Sequence, residues 1–126
     1  YRDYYRESKD NIEAQIPYIK NVILDVKDYL DFTPDNNSMI YCDPPYANTK
    51  KFANAMNFDY DKFWDKMREW SKDNFVLVSE LVAPDDFICI WEKSVSRSIK
   101  STDKSVATEK LFTYKNGKYA EYIKVN

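Results

Sequence analysis

Four consecutive residues, Asp43-Pro44-Pro45-Tyr46, have the composition of a site that works on an aromatic amine. A carboxylate accepts one hydrogen of an exocyclic amine, and the Pro44 carbonyl can accept the other. Two acceptors draw the nitrogen toward tetrahedral geometry. That returns its lone pair from the ring and makes it nucleophilic. The prolines restrict φ and hold the carbonyl and the ring in set directions. Tyr46 offers a flat face for stacking a base withdrawn from its duplex. The chemistry needs neither histidine nor metal, and the chain has no histidine. The same four residues also suit a plain proline turn after a strand, with Tyr46 packed inward.

Other residues are weaker candidates. Asp28 follows an apolar run and either approaches the substrate or cofactor side of a cleft or caps a turn. Glu80 ends another apolar run and either reaches the cleft, holds the Asp43 loop or is solvated. Lys50 and Lys51 follow the tetrapeptide closely enough to line a nucleic-acid path. Arg97, Lys100 and Lys104, set among Ser96, Ser98, Ser101 and Thr102, form a basic, polar stretch. It either touches phosphates or is a solvated hairpin. Cys42 and Cys89 lie in separate apolar runs without metal-ligand spacing. They read as buried thiols in a reducing compartment, and no metal site is expected.

The elements around these residues follow from periodicity. Residues 1–16 read as an amphipathic helix that Pro17 ends or bends. Val22-Ile23-Leu24 with Val26 reads as a β-branched strand. Residues 31–38 are a loop by composition. Met39 to Cys42 is a short strand, which the prolines stop. Asp59 is a plausible N-cap for a helix over about 60–72, with Phe63, Trp64, Met67 and Trp70 as its apolar stripe. Phe75 to Val78 is continuously apolar, as for a strand covered on both faces. Phe87 to Ser96 and Thr108 to Tyr114 read as antiparallel strands around a polar loop at about 98–106. Asn116-Gly117 signals a turn, with a short strand over 118–125.

The order predicts an α/β fold with a mostly parallel, three-layer sheet ending in an antiparallel edge hairpin. Ligands of such sheets sit outside the carboxyl ends of the strands. Asp43 and Glu80 would end adjacent parallel strands there.

Composition narrows the function classes. The 126 residues allow one domain, and 44% hydrophobic residues suffice for a core. The single glycine excludes a Gly-rich phosphate loop. A net charge of −2 argues against a general nucleic-acid patch but leaves room for a local one. No membrane span or signal peptide is visible, so a cytoplasmic protein is expected.

The chain resembles the D12-class, Dam-like DNA adenine-N6 methyltransferases, and is close to forms found in Gram-positive bacteria and phages. The resemblance rests on Tyr41 to Tyr46 following Lys27-Asp28-Tyr29, on Phe63-Trp64 and on Leu77 to Glu80. It continues through Ala83 to Phe87, Ile90-Trp91-Glu92 and Glu109 to Tyr114. It covers nearly the whole chain from about residue 11 and is specific in its later part. It implies a partial Rossmann-like methyltransferase sheet, S-adenosylmethionine as cofactor and double-stranded DNA as partner. It implies that Asp43 and the Pro44 carbonyl bind the target amine, that Tyr46 stacks on the flipped adenine and that Pro45 shapes the loop. Asp43 would also lie near the methionine end of the cofactor.

The resemblance further implies that residues 1–126 are the carboxyl-terminal portion of the catalytic domain. Tyr1 stands where a start would carry Met, as in an excerpt. The amino-terminal cofactor motif and most of the target-recognition domain would then be missing, and the isolated chain inactive. The Val22–Val26 strand would lack neighbours, and an open central edge invites self-association.

Overall fold

The computed structural model describes residues 3–47, 57–98 and 104–123, with backbone alone at 95–98 and 104–107. The chain divides into two compact units, Tyr1–Phe32 and Thr33–Asn126.

The first unit carries α1, Tyr4–Ile19. Asp3 caps it, its carboxylate accepting the Arg6 amide at 3.1 Å. The helix runs through Pro17 rather than stopping there. The missing proline donor removes one bond near the carboxyl terminus, so the last turn survives. Residues 22–26 form no strand. Ile23, Leu24 and Val26 are 93%, 89% and 102% exposed. Their β-branched content favours extended backbone, but a strand also needs a ladder partner, and none lies beside them among the described residues. A 3₁₀ turn at Tyr29–Asp31 follows.

The second unit holds β1 (Met39–Cys42), α2 (Tyr60–Trp70), β2 (Phe75–Ser79), β3 (Phe87–Ser98) and β4 (Lys104–Tyr114). The sheet order is β1-β2-β4-β3. β1 and β2 are parallel, from Met39↔Phe75 to Cys42↔Val78. β4 is antiparallel to both β2 and β3. This is a partial Rossmann-like α/β sheet with an antiparallel edge hairpin.

α2 begins where Asp59 accepts the Lys62 amide at 3.0 Å. Phe63, Trp64, Met67 and Trp70 are its buried face. Val78 pairs with Phe112, and Phe87 pairs with Tyr114. Paired residues share a face, so Val76, Val78, Phe112 and Phe87 lie on one side of the sheet. Trp64 packs at a tilt against Phe87 with centroids 4.7 Å apart, which puts α2 on that side. Phe75 and Leu77, on the other face, are only half-buried. The continuous apolar run of β2 therefore has one deeply covered face among the described residues.

Two polar anchors fix the layer. Arg68 grips Asp86 with two bonds, of 2.6 and 2.9 Å, and its guanidinium lies over the Phe87 ring. The buried Asn74 donates to the Trp70 carbonyl and accepts the Ser38 amide, tying the end of α2 to the entrance of β1. Gly117 explains its own identity. A Cβ there would meet both Ser71 Cβ and the Ser71 carbonyl oxygen at 3.2 Å.

The hairpin is longer than the sequence suggests, because β3 and β4 pair on to Ser98↔Lys104. Residues 118–123 give no strand, and the rest of the expected segment, 124 and 125, lies outside the described residues. The Lys118 amide bonds the Ser71 carbonyl, the Ala120 amide bonds that of Gly117, and a 3₁₀ turn at Ala120–Tyr122 results.

Candidate active site

The parallel register of β1 and β2 brings their carboxyl ends side by side. Asp43 to Tyr46 leaves β1 at that end, and Ser79-Glu80 leaves β2 beside it. Asp43 is exposed and Pro44 is buried, so the carboxylate meets solvent while the first proline seats the loop.

Two hydroxyls hold the tetrapeptide. The Tyr46 and Ser79 hydroxyl oxygens are 2.7 Å apart. Tyr60, in the first turn of α2, donates to the Pro45 carbonyl at 2.8 Å. The loop is thus tied to β2 by its tyrosine and to α2 by its second proline. Tyr60 also packs edge-on against Phe58, with centroids 4.9 Å apart.

Glu80 is only 2% exposed. The Leu81 amide donates to its Oε1 at 2.9 Å, while Oε2 is buried without a hydrogen bond. Burial raises its pKa, the Leu81, Ala47 and Val82 amides pull it down, and the neighbouring Asp43 charge raises it. Burial and the Glu80 charge also raise the Tyr60 phenol. Cys42 is pushed up to about 11 by burial, so its thiol stays protonated at neutral pH. It is a packing residue at the end of β1, not a nucleophile.

The remaining sequence candidates lie on other elements or outside the described residues. The Asp28 carboxylate accepts the Leu30 amide at 2.9 Å and caps the 3₁₀ turn of the first unit. Lys50, Lys51 and Lys100 lie outside the described residues. Arg97 and Lys104 stand on the β3–β4 ribbon, opposite Ser105 and Ser98. β4 pairs with β2 only at Phe112 and Leu111. The ribbon before Leu111 therefore runs on past the carboxyl end of β2, toward the side of the sheet that carries Asp43.

Tyr60 and Ser79 escaped the sequence reading. Tyr60 showed only as an aromatic residue at a helix start, and Ser79 only as a small residue after an apolar run. An open apolar hollow of about 400 Å³, lined by Met39, Phe75, Tyr119, Tyr122 and others, lies at the opposite end of β1 and β2. It includes no part of the tetrapeptide.

The family model described as D12 class N6 adenine-specific DNA methyltransferase matches residues 1–82. The chain belongs to that family. Searches of curated proteins and of solved structures returned no match. Membership in the D12 family assigns the chain to a broad class of S-adenosylmethionine-dependent enzymes that act on DNA. The matched span holds β1, the tetrapeptide, α2, β2 and Glu80. It also corrects one expectation. The family match occupies the amino-terminal part of this chain, not a carboxyl-terminal piece with its specificity in the later residues. Ala83 to Tyr114, including both strands of the ribbon, lie beyond the match. Among the described residues, no helix is long and apolar enough to cross a membrane, and no metal-ligand group occurs.

Proposed function

We propose that this D12-family chain carries the amine-activating site of a site-specific adenine-N6 DNA methyltransferase. The observation that carries the reading is the exposed Asp43 at a strand end, within a tetrapeptide held on both sides.

Asp43 accepts one hydrogen of the flipped adenine's N6 amine, and the Pro44 carbonyl accepts the other. The nitrogen becomes pyramidal and its lone pair turns outward. Tyr60 occupies the Pro45 carbonyl, the one this mechanism does not use. Tyr46 stacks on the base, and its bond to Ser79 limits the tilt of the ring. S-adenosylmethionine, when bound, supplies a methyl group already activated on sulfur. An exposed carboxylate suits the positive end of that cofactor, and Asp43 would help hold it near the amine. Gly117 is no phosphate cradle, since it packs on Ser71.

The ribbon supports a DNA contact. It extends past the carboxyl end of β2 and carries Arg97 and Lys104, with Lys100 between them in sequence. Lys50 and Lys51, just after the tetrapeptide, would add phosphate contacts to double-stranded DNA. The outer edge of β1 has no strand partner among the described residues, which supports self-association by strand pairing.

The test is to incubate the protein with labelled S-adenosylmethionine and DNA or RNA, digest the product and identify the labelled nucleoside. N6-methyldeoxyadenosine is expected. Label on cytosine N4 or on RNA adenine would move the activity to another amine. DNA binding without cofactor binding would make the chain a non-catalytic DNA-binding or assembly fragment.

A further inference from the structure

The tetrapeptide has few donors of its own. Pro44 and Pro45 carry no N–H, so the loop leans on donors from elsewhere. Proline restricts φ, and the peptide bond is planar. Between the peptide plane of the Pro44 carbonyl and the backbone nitrogen of Tyr46, the soft torsion that remains is ψ of Pro45. That torsion turns one rigid plane, with the Pro45 carbonyl on one side and the Tyr46 nitrogen on the other. A donor that fixes this carbonyl fixes how the chain enters Tyr46.

Tyr60 is such a donor. Its hydroxyl bonds the Pro45 carbonyl at 2.8 Å, from 15 positions further along the chain. The ring that carries the hydroxyl is itself held from the core. It packs edge-on against Phe58 at 4.9 Å, Phe58 packs against Phe63 at 5.5 Å, and Phe63 is 4% exposed. Asp59 caps α2 immediately before Tyr60, so the helix sets the point from which the ring projects. Burial and the Glu80 charge raise the phenol, which therefore keeps the proton it donates.

We propose that Tyr60 is a positioning residue for methyl transfer, which sets the angle between the Pro44 carbonyl and the Tyr46 ring through its bond to the Pro45 carbonyl. The proposal rests on the reading of Pro44 and Tyr46 as parts of the amine site. In that site the Pro44 carbonyl meets an amine hydrogen near the plane of the base, while the Tyr46 ring lies on the face of the base. The two demands are perpendicular, and one backbone torsion separates the peptide planes that must meet them. Ser79 holds the far end of the ring at its hydroxyl. Tyr60 holds the near end, where the main chain enters Tyr46. With both bonds the ring is fixed at two ends, and with one it pivots.

Tyr60→Phe removes the hydroxyl and keeps the ring that packs on Phe58. Its kcat for methyl transfer is expected to fall about 5- to 50-fold, between the loss of one neutral hydrogen bond and a full misplacement of reacting groups. The KM for S-adenosylmethionine should hardly change. In carbon-13-labelled protein, the Pro45 carbonyl resonance should move upfield as its hydrogen bond is lost, and the Tyr46 amide resonance should shift with it. Arg68→Ala loosens the same helix away from the loop and should leave kcat unchanged. Wild-type kcat in folded Tyr60→Phe protein overturns the proposal, and so does a Pro45 carbonyl resonance that stays in place. An equal loss of kcat in Arg68→Ala also overturns it, since that marks a merely structural role. A wild-type protein that transfers no methyl group overturns the functional reading instead. The resonances then judge the geometry alone: a Tyr46 amide that shifts with the Pro45 carbonyl supports it, and one that does not overturns it.

Discussion

The hydroxyls of Tyr46 and Ser79 lie 2.7 Å apart, so the Tyr46 ring is fastened to the strand beside its own. Ser79→Ala removes that fastening without touching the ring. A neutral hydrogen bond contributes about 1 kcal/mol. The expected result is a several-fold weaker capture of the flipped base, measured as 2-aminopurine fluorescence at the target position, with cofactor affinity unchanged. Tyr46→Phe should match it, and Tyr46→Ala should do more damage because stacking goes too.

Asp43 is exposed and stands outside the buried core. Asp43→Ala should therefore leave thermal stability within about 0.5 kcal/mol of wild type. Methyl transfer should drop by at least about 100-fold, the cost of losing a preorganised electrostatic partner. Calorimetry beside a radiometric assay checks both halves. Wild-type turnover in the folded variant would remove Asp43 from the mechanism.

Glu80 gives stability a pH slope. Its folded pKa is raised above the ordinary value of 4.5, with burial as the main cause. Folding therefore favours the protonated acid. That share of stability is complete below the ordinary value and is lost as pH rises through the raised one. Glu80→Gln should flatten this part of the curve, as read from urea midpoints across roughly pH 4 to 8. Asp86 works in the opposite sense. Arg68 holds its carboxyl below the usual range, so its share is present at neutral pH and fades as acid protonates it.

Arg68→Ala tests the clamp between α2 and the turn before β3. The guanidinium is part-exposed, so its ion pair is screened, but it also covers the Phe87 ring. A loss of about 1–2 kcal/mol is expected. A double-mutant cycle with Asp86→Ala should show coupling, and strict additivity would show that the two groups act separately.

The sequence made much of this architecture legible wherever local rules and packing agreed. Asp59 capped the helix as its residue type demands, and the stripe of Phe63, Trp64, Met67 and Trp70 became the buried face. β1 stopped where Pro44 and Pro45 deny it donors. Legibility failed where structure depends on a distant partner. Val22 to Val26 has strand residues but pairs with no strand among the described residues. Lys118 spends its amide on Ser71, far off in sequence, so its segment turns. Within the site, Asp43 was readable from its neighbours in sequence. Tyr60 and Ser79 were not, because their value lies in reaching a loop that neither adjoins. Even the solitary glycine took on a meaning that composition could not supply. It marks the close contact of a late turn with Ser71.

The parallel pairing of Met39 to Cys42 with Phe75 to Val78 has one more consequence. Side chains alternate along a strand, so a pairing error of a single residue turns every one of them to the opposite face. Ser79 would then look away from Tyr46, and Glu80 would surface where Ser79 had been hidden. No gradual misalignment connects these arrangements. The aim of the tetrapeptide loop is thus quantised by main-chain bonds. Length changes in the connection before β1 are compatible with it, and a single residue added to or removed from β1 is not.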